Sequence, residues 1–373
     1  MPSIPDRSPA GVLFCPIDQI VASFDPSDRQ QVADAFVMAL RRHQPLAQLA
    51  APPQVISSAT STWVWFVDLT GVNLPVAWQR PLVLRIFHPN ESSVAEREDR
   101  LSSFLTSQGY PAPATHLRDE LGQPAQPFVM QQRLPGRPAL DLLKSMRIRE
   151  VVAGLGRLQG ELHRLSTANF PLRRLTAAQY LEVDIAPRRA GVTAVPPEDW
   201  LAWLRTSAAE FEATDETDVV VCHGDFHPLN AVADTTDGLR LGIVDWTDAC
   251  IADRHFDVGR TVAIYRLASI VAASRMERLM LRSLRGWLCR THLKHYQSAA
   301  EVQLDQRRLL WWQIVHLYRG WLQLATIAEG TADGPTGSTT VERFPADQRD
   351  QLLDRCVMLR DQLQHQLQST PQR

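Results

Sequence analysis

Between His223 and Trp246 the sequence reads HGDFHPLNAVADTTDGLRLGIVDW, which gathers two carboxylates and an amide, Asp225, Asn230 and Asp245, into one short stretch. Asp237-Gly238 is a two-residue hairpin signal, because type I′ turns need positive φ at both central positions. With that pair as the turn, Thr236 faces Leu239, Val232 faces Ile243, and Asn230 faces Asp245 across two strands. Opposed side chains on one face lie about 4.5–5.5 Å apart at Cβ, close enough to share a cation. An amide oxygen beside a carboxylate is a hard, all-oxygen site suited to Mg²⁺ held together with substrate phosphates. Asp225, on the loop entering the hairpin, faces the same spot as a carboxylate able to accept a hydroxyl proton, the arrangement phosphoryl transfer needs. Taken singly, each of these residues serves a turn or a cap as readily; the shared hairpin is what argues for chemistry.

The elements that must position this stretch fall into two groups. In DPSDRQQVADAFVMALRRHQ, Asp25 before Pro26 is a capping pair and Val32, Phe36 and Leu40 share a helical face. After APPQ, the runs STWVWFVDLTG and RPLVLRIFHPN read as strands of an antiparallel sheet. SSVAEREDRLSSFLTSQG is a helix with Leu101 and Leu105 one turn apart, ending at Gly109. QPFVMQQRLPGRP is a strand broken at Pro135 and Gly136, which puts the lobe boundary near Arg133. Beyond it the period turns helical: Ile148, Val151, Leu155, Leu158, Leu162 and Leu165 form a stripe, and helical patterns return from about 257 to 297 and 306 to 329. A last amphipathic helix carries Leu352, Cys356, Leu359, Leu363 and Leu367, after the loop GTADGPTGSTTV. The predicted fold is α+β in two lobes, a small antiparallel-sheet lobe with one key helix and a larger helix-rich lobe carrying the catalytic β-hairpin. The predicted organisation is a helical extension over 1–50, a small lobe over 51–133 and a helical lobe over 134–373.

Composition narrows the classes. The chain has 373 residues, 45% hydrophobic content and a formal net charge of -2, an ordinary globular balance with no pull toward nucleic acid or anionic membrane. No run approaches the roughly 18 apolar residues of a membrane span, and MPSIPDRSPAGVLFC lacks a basic start followed by an apolar segment, so a cytoplasmic location is expected. Cys15, Cys222, Cys250, Cys289 and Cys356 form no CxxC pair, which argues against disulfides and zinc. The sequence does not give an oligomeric state.

These residues resemble the aminoglycoside phosphotransferase and choline kinase group, which shares the protein-kinase-like two-lobe fold. HGDFHPLN is similar to its catalytic loop and IVDW to its metal-binding segment, while LVLRIF, REDRLSSFL, FVMQQRLPG and LGRLQGELHRL resemble its third strand, its Glu-bearing helix, its hinge and the helix behind the loop. The resemblance implies Asp225 as the catalytic base, Asn230 and Asp245 as Mg²⁺ ligands, and the backbone of Met130, Gln131 and Gln132 against the purine of ATP or GTP. The family's strand lysine is replaced by Arg85, which can grip phosphate and pair with Glu98. The loop SSATSTW has no glycine, so Ser, Thr and backbone groups would meet phosphate. By the same likeness Asp257 ties the catalytic loop, and His223 and His227 are structural anchors rather than proton carriers. Arg254 stands where the family usually has proline.

GLGRLQG matches neither GxGxxG nor GxxxxGK[ST] and reads as helix packing. His292 and His295 in THLKH lack a third ligand nearby and read as a solvated face, as do Arg275, Arg278, Arg282 and Arg285. From His255 to Gly330 there are 11 Lys and Arg against 5 Asp and Glu, which disfavours a polycationic acceptor. The expected reaction is transfer of a nucleotide γ-phosphate to a hydroxyl of a neutral or anionic metabolite or antibiotic, with Trp311, Trp312 and Trp321 as core residues or walls for an apolar acceptor. The alternative is a non-catalytic nucleotide-binding or sensing member of the same fold. A protein kinase is disfavoured because VDWTDACIADRHFDVGR leaves little room for a peptide-holding segment.

Overall fold

A computed structural model describes residues 23–56, 62–143, 147–194, 196, 198–213, 215–267, 275–329 and 346–369. The loop expected to meet phosphate, SSATSTW, therefore falls mostly outside the described residues, as does the loop GTADGPTGSTTV. The elements run α1 (Arg29–His43), β1 (Gln48–Leu49), β2 (Gln54–Val55), β3 (Trp63–Val67), β4 (Leu69–Thr70), β5 (Leu82–Ile86), α2 (Ser92–Ser107), β6 (Thr115–Leu121) and β7 (Gln126–Gln132) in the first lobe. The second contains β8 (Arg137–Pro138), α3 (Ala139–Leu143), α4 (Ile148–Leu162), α5 (Ala177–Tyr180), α6 (Ala186–Ala190), α7 (Trp200–Ser207), β9 (Val219–Cys222), β10 (Ala231–Asp234), β11 (Arg240–Ile243), β12 (Cys250–Asp253), α8 (Arg254–Leu267), α9 (Arg275–Ala300), α10 (Gln306–Ala328) and α11 (Ala346–Ser369). This is the two-lobe α+β arrangement that the change of period predicted.

The small lobe is an antiparallel sheet in the order β2-β3-β5-β7-β6. Its core is made by alternation: Trp65 and Val67 of β3 and Leu82, Leu84 and Ile86 of β5 point to one side and are buried. Helix α1 covers that side with Val32, Phe36 and Leu40, so the helix of the predicted extension belongs to the small lobe's core. Phe36 meets Phe128 of β7 edge-on, with ring centroids 5.7 Å apart. The helix starts later than the sequence suggested. Asp28 is the N-cap, accepting from the amides of Gln30 and Gln31. Asp25 instead accepts from the amide and hydroxyl of Ser27, because a turn after Pro26 intervenes.

Between the lobes, Leu101 and Leu105 of α2 share a buried cluster with Val151 and Leu155 of α4 and with Phe226, Ile243 and Trp246 of the catalytic stretch. Helix α4 packs along α9, where Gly156 and Gly160 allow close approach: a Cβ at Gly156 would lie 2.5 Å from the carbonyl oxygen of His292. The expected packing role of GLGRLQG is thus met. Tryptophans 311, 312 and 321 of α10 are buried in the large helical core with α7 and α11, so they are not available as walls for an acceptor. Among the described residues, no helix is long and apolar enough to cross a membrane.

Truncating a buried phenylalanine costs about 3–5 kcal/mol. Phe36→Ala is therefore expected to destabilise the small lobe by about that amount in chemical denaturation, whereas loss of under about 1 kcal/mol would show that α1 is a dispensable appendage.

Candidate active site

The loop between β9 and β10 is pinned from beneath. His223 is fully buried; its Nδ1 accepts the amide of Asp225 and its Nε2 donates to the carbonyl of Val244. Gly224 has φ +79, and a Cβ there would lie 2.3 Å from the carbonyl oxygen of Asp248, so glycine is required on both counts. Its amide donates to Asp257 Oδ1 at 2.7 Å, while Asp257 Oδ2 accepts from Gln159 Nε2 at 2.8 Å and His163 Nε2 at 3.0 Å. Burial, the largest single influence, pushes Asp257 up, but the hydrogen bonds from His163 and Gln159 and the neighbouring histidines together outweigh it and hold the carboxyl below the usual range. Burial lowers His163, which stays neutral, taking the hydroxyl of Tyr296 on Nδ1 at 2.8 Å. His292 joins the network through Gln159 Oε1 at 2.7 Å and is fully buried. It does not lie on a solvated face: the stripe of α9 that meets α4 includes it.

Asp225 is held at both carboxylate oxygens. Oδ1 takes Nε of Arg260 at 2.8 Å and Nη2 at 2.6 Å. Oδ2 takes His227 Nε2 at 3.1 Å and Asn230 Nδ2 at 3.2 Å. His227 Nδ1 accepts the amide of Leu229, which places the ring proton on Nε2, toward Asp225. Burial pushes Asp225 up, yet the His227 hydrogen bond and the Arg260 charge prevail and hold it far below the ordinary carboxylate range. Sequence reading missed Arg260 altogether. The signal was there: Arg260 lies one helical turn after Asp257 on α8, and if Asp257 grips Gly224, a residue one turn on reaches Asp225.

The hairpin differs by one residue from the predicted register. Ala231 pairs with Ile243 and Asp234 with Arg240, because Asp234 accepts from the amide of Thr236 and widens the connection to five residues. Asn230 consequently faces Val244, whose amide donates to the Asn230 carbonyl at 2.9 Å. A one-residue slip sends side chains to opposite faces. Asp245 departs from the strand geometry altogether, with φ +61, a left-handed conformation that Asp tolerates better than most residues. Its side chain is half-exposed; Oδ1 takes the Thr247 hydroxyl at 2.8 Å and lies 3.9 Å from Arg85 Nη2. Arg85, on β5, also bonds Glu98 of α2 at 2.9 Å. Burial raises Glu98, with the Arg85 charge opposing. The neighbouring Arg97 donates to the carbonyl of Thr247 at 2.7 Å, a cross-lobe bond not foreseen from sequence.

These residues fit a hard divalent cation. Asn230 spends Nδ2 on the backbone and side chain of Asp225, which turns Oδ1 outward, and Asp245 offers a half-exposed carboxylate. Among the described residues, no group of three His, Cys, Asp or Glu could hold a metal, so a cation here would draw its remaining oxygens from phosphate and water, as Mg²⁺ does.

The residues expected at the purine lie at the end of β7. Met130 and Gln131 of β7 are paired on both sides, with β5 and β6, and are buried. The Gln132 amide is given to Ala114 and the Arg133 amide to Pro81. The chain leaves the sheet after Gln132, at Arg133 and Leu134. A mixed-charge wall includes Asp248, which lies against Gly224, the residue before Asp225. Arg319 bonds Asp184 at 2.8 Å and approaches Asp248 at 3.5 Å, and Arg188 bonds Asp184 at 3.0 Å. The basic count from 255 to 330 does not translate into a basic surface there, because Arg307, Arg308 and Arg319 meet Glu210, Asp218 and Asp184 from earlier segments.

Residues 54–287 match the model of the Phosphotransferase enzyme family (APH). Streptomycin 3''-kinase of Streptomyces griseus is 29% identical over 178 residues, covering 45% of this chain and 64% of that protein; the chain thus spans under two thirds of the length of the curated relative it matches. Among solved structures, aminoglycoside phosphotransferase APH(3'')-Id from Streptomyces rimosus, in complex with ADP and streptomycin, superposes with a TM-score of 0.54 at 19% identity, over 78% of this chain and 98% of that one. Macrolide 2'-phosphotransferase MphH from Brachybacterium faecium gives 0.52 at 18% identity, over 84% and 98%. These structural likenesses establish the two-lobe, protein-kinase-like fold, and the family match, which covers more than half of the chain, carries the assignment: the chain belongs to the phosphotransferase enzyme family.

Proposed function

We propose that the chain transfers the γ-phosphate of ATP or GTP, with Mg²⁺, to a hydroxyl of a neutral or anionic metabolite or antibiotic. Two contacts on the same stretch carry this reading: Asp225 touches Asn230 on the loop, and Arg85 spans Glu98 and Asp245 beyond the hairpin. Asp225 is the catalytic base. Each carboxylate oxygen has a second lone pair beyond those used by Arg260 and His227, and one of these orients the acceptor hydroxyl. The acceptor oxygen bonds to the γ-phosphorus as the bond to the β-phosphate oxygen breaks, and the proton passes to Asp225. A carboxylate held so far below the ordinary range is a weak base, which suits a loose transition state in which positioning counts for more than early proton removal. When bound, Mg²⁺ would offset charge on the phosphate oxygens, with Asn230 Oδ1 and Asp245 as its protein ligands. Arg85, fixed by Glu98, grips phosphate, and the backbone from Gln132 to Leu134 meets the purine.

The wall beside Asp225 sets Asp184, Asp225 and Asp248 against Arg188, Arg260 and Arg319. It therefore presents no net negative charge to a polycation. Such an enzyme works in the cytoplasm, where nucleotide and reduced thiols are supplied; Cys222, Cys250, Cys289 and Cys356 are free and buried.

Labelled γ-phosphate should move, in the presence of Mg²⁺, to one member of a panel of sugars, amino alcohols, homoserine, macrolides and aminoglycosides including streptomycin. Asp225→Asn should lower turnover by about 10²–10⁴-fold with nucleotide binding retained, and Asp245→Ala should abolish the Mg²⁺ dependence of that binding. Full turnover in Asp225→Asn would remove the base assignment; nucleotide binding with no transfer anywhere would favour the sensing alternative. Arg260→Gln removes the two charge-assisted contacts that hold Asp225 Oδ1, so turnover should fall about tenfold or more with nucleotide binding retained. Unchanged turnover in Arg260→Gln would exclude Arg260 as the residue that positions this carboxylate.

A further inference from the structure

A cavity of about 270 Å³ lies among α8, α9, α10 and α11, lined by Arg266, Arg285, Arg290, Arg355, Cys289 and Gln313 among others. A second, of about 350 Å³, shares Arg266, Arg285 and Arg355 and adds Arg282. No residue of the catalytic loop lines either one. On α8, Val262 and Arg266 sit roughly 200–240° around the helix from Arg260, at about 100° per residue, so the cavity opens on the face turned away from Asp225.

Collecting this many guanidinium groups around a semi-enclosed space is unfavourable without an anion. Burial and the neighbouring charges of Arg266 and Arg285 bring Arg355 down to about 10, the mark of like charges held together. Among the described residues, Arg282, Arg285, Arg290 and Arg355 have no carboxylate within 4 Å, although Asp354 lines the outer cavity. Arg282 reaches only Gln351, at 3.4 Å, and Arg355 the Met358 sulfur. Gln313, 2% exposed, points to a ligand independently. Its Nε2 donates to the Leu309 carbonyl, and its Oε1 is buried without a hydrogen-bond donor among the described residues. An occupant should therefore bring anionic oxygens for the arginines and a hydroxyl for Gln313.

We propose that this cavity binds a small hydroxylated phosphate ester, at a site separate from the phosphoryl-transfer centre. Arg285 and Arg355 hold its phosphate from two helices, Arg290 contributes from the rim, and Gln313 Oε1 accepts from its hydroxyl. The site does not rest on the proposed reaction, and its test reads binding rather than turnover.

The probe is glycerol 2-phosphate, titrated calorimetrically into the full chain, with glycerol and sodium chloride at matched ionic strength as controls. Saturable 1:1 binding is expected in the wild type and in Asp245→Ala, and about tenfold or greater weakening in Arg285→Gln/Arg355→Gln. Without ligand, the double variant should melt no lower than the wild type, since it loses mutual repulsion rather than ion pairs. If it does not fold, Arg290→Gln, an exposed substitution, should weaken binding several-fold instead. Absence of saturable binding, binding equally strong in the arginine variants, or binding lost in Asp245→Ala but kept in the double variant would each overturn the assignment, the last by locating the anion at the transfer centre.

Discussion

The structure hangs on one buried carboxylate. Asp257 is wholly excluded from water, and an unpaired charge there would be prohibitively costly; it is tolerated because the amide of Gly224, the amide of Gln159 and the ring of His163 all donate to it. Those donors come from the catalytic loop and α4, and Tyr296 and His292 extend the network to α9. A polar network this fully satisfied has one good geometry and many poor ones, so it fixes the height and angle at which Asp225 is presented. The apolar cluster of Leu101, Leu155, Phe226 and Trp246 surrounds the loop and seals it to the key helix of the small lobe.

Helix α8 carries this constraint outward. One turn beyond Asp257, Arg260 reaches Asp225 and, with His227, keeps it ionised against the pull of burial. At the other end of the cluster Arg85 joins the small lobe to Asp245 while Glu98 steadies it from α2, and Arg97 ties the same helix to Thr247. The two lobes are thus linked by the Arg97 hydrogen bond and the Arg85 ion pair, both from residues in regular structure. Asp245 leaves strand geometry at φ +61, with its carboxylate 3.9 Å from Arg85.

Much of this was legible in residue order. Lobe composition followed from residue type and period, since the β-branched and aromatic runs around Trp63–Val67 and Leu82–Ile86 and the 3.6-residue stripe of α4 each favour one kind of element. The free ends of the catalytic loop were legible because few sequences combine carboxylate, amide and carboxylate around an Asp-Gly turn. The hairpin register was not: whether two or five residues make the connection depends on the Asp234 side chain capturing the Thr236 amide, a choice worth too little energy to read from residue types. His292 failed for a related reason. Its spacing suits a solvated face, and only the arrival of Gln159 from α4 makes it a buried partner.

What the sequence determined by itself was the local grammar: which stretches are strands or helices, and the family pattern they follow, because propensity, period and turn chemistry act over a few residues. Tertiary structure alone decided how charges far apart in sequence are paired. Arg260 with Asp225, Arg319 with Asp184 and Asp248, Arg85 between Glu98 and Asp245, and the arginines left facing one another around the cavity of α8 to α11 all depend on which helix faces meet. A charge count along the chain cannot register this, since the Coulomb energy of a pair is set by the distance and dielectric that packing creates.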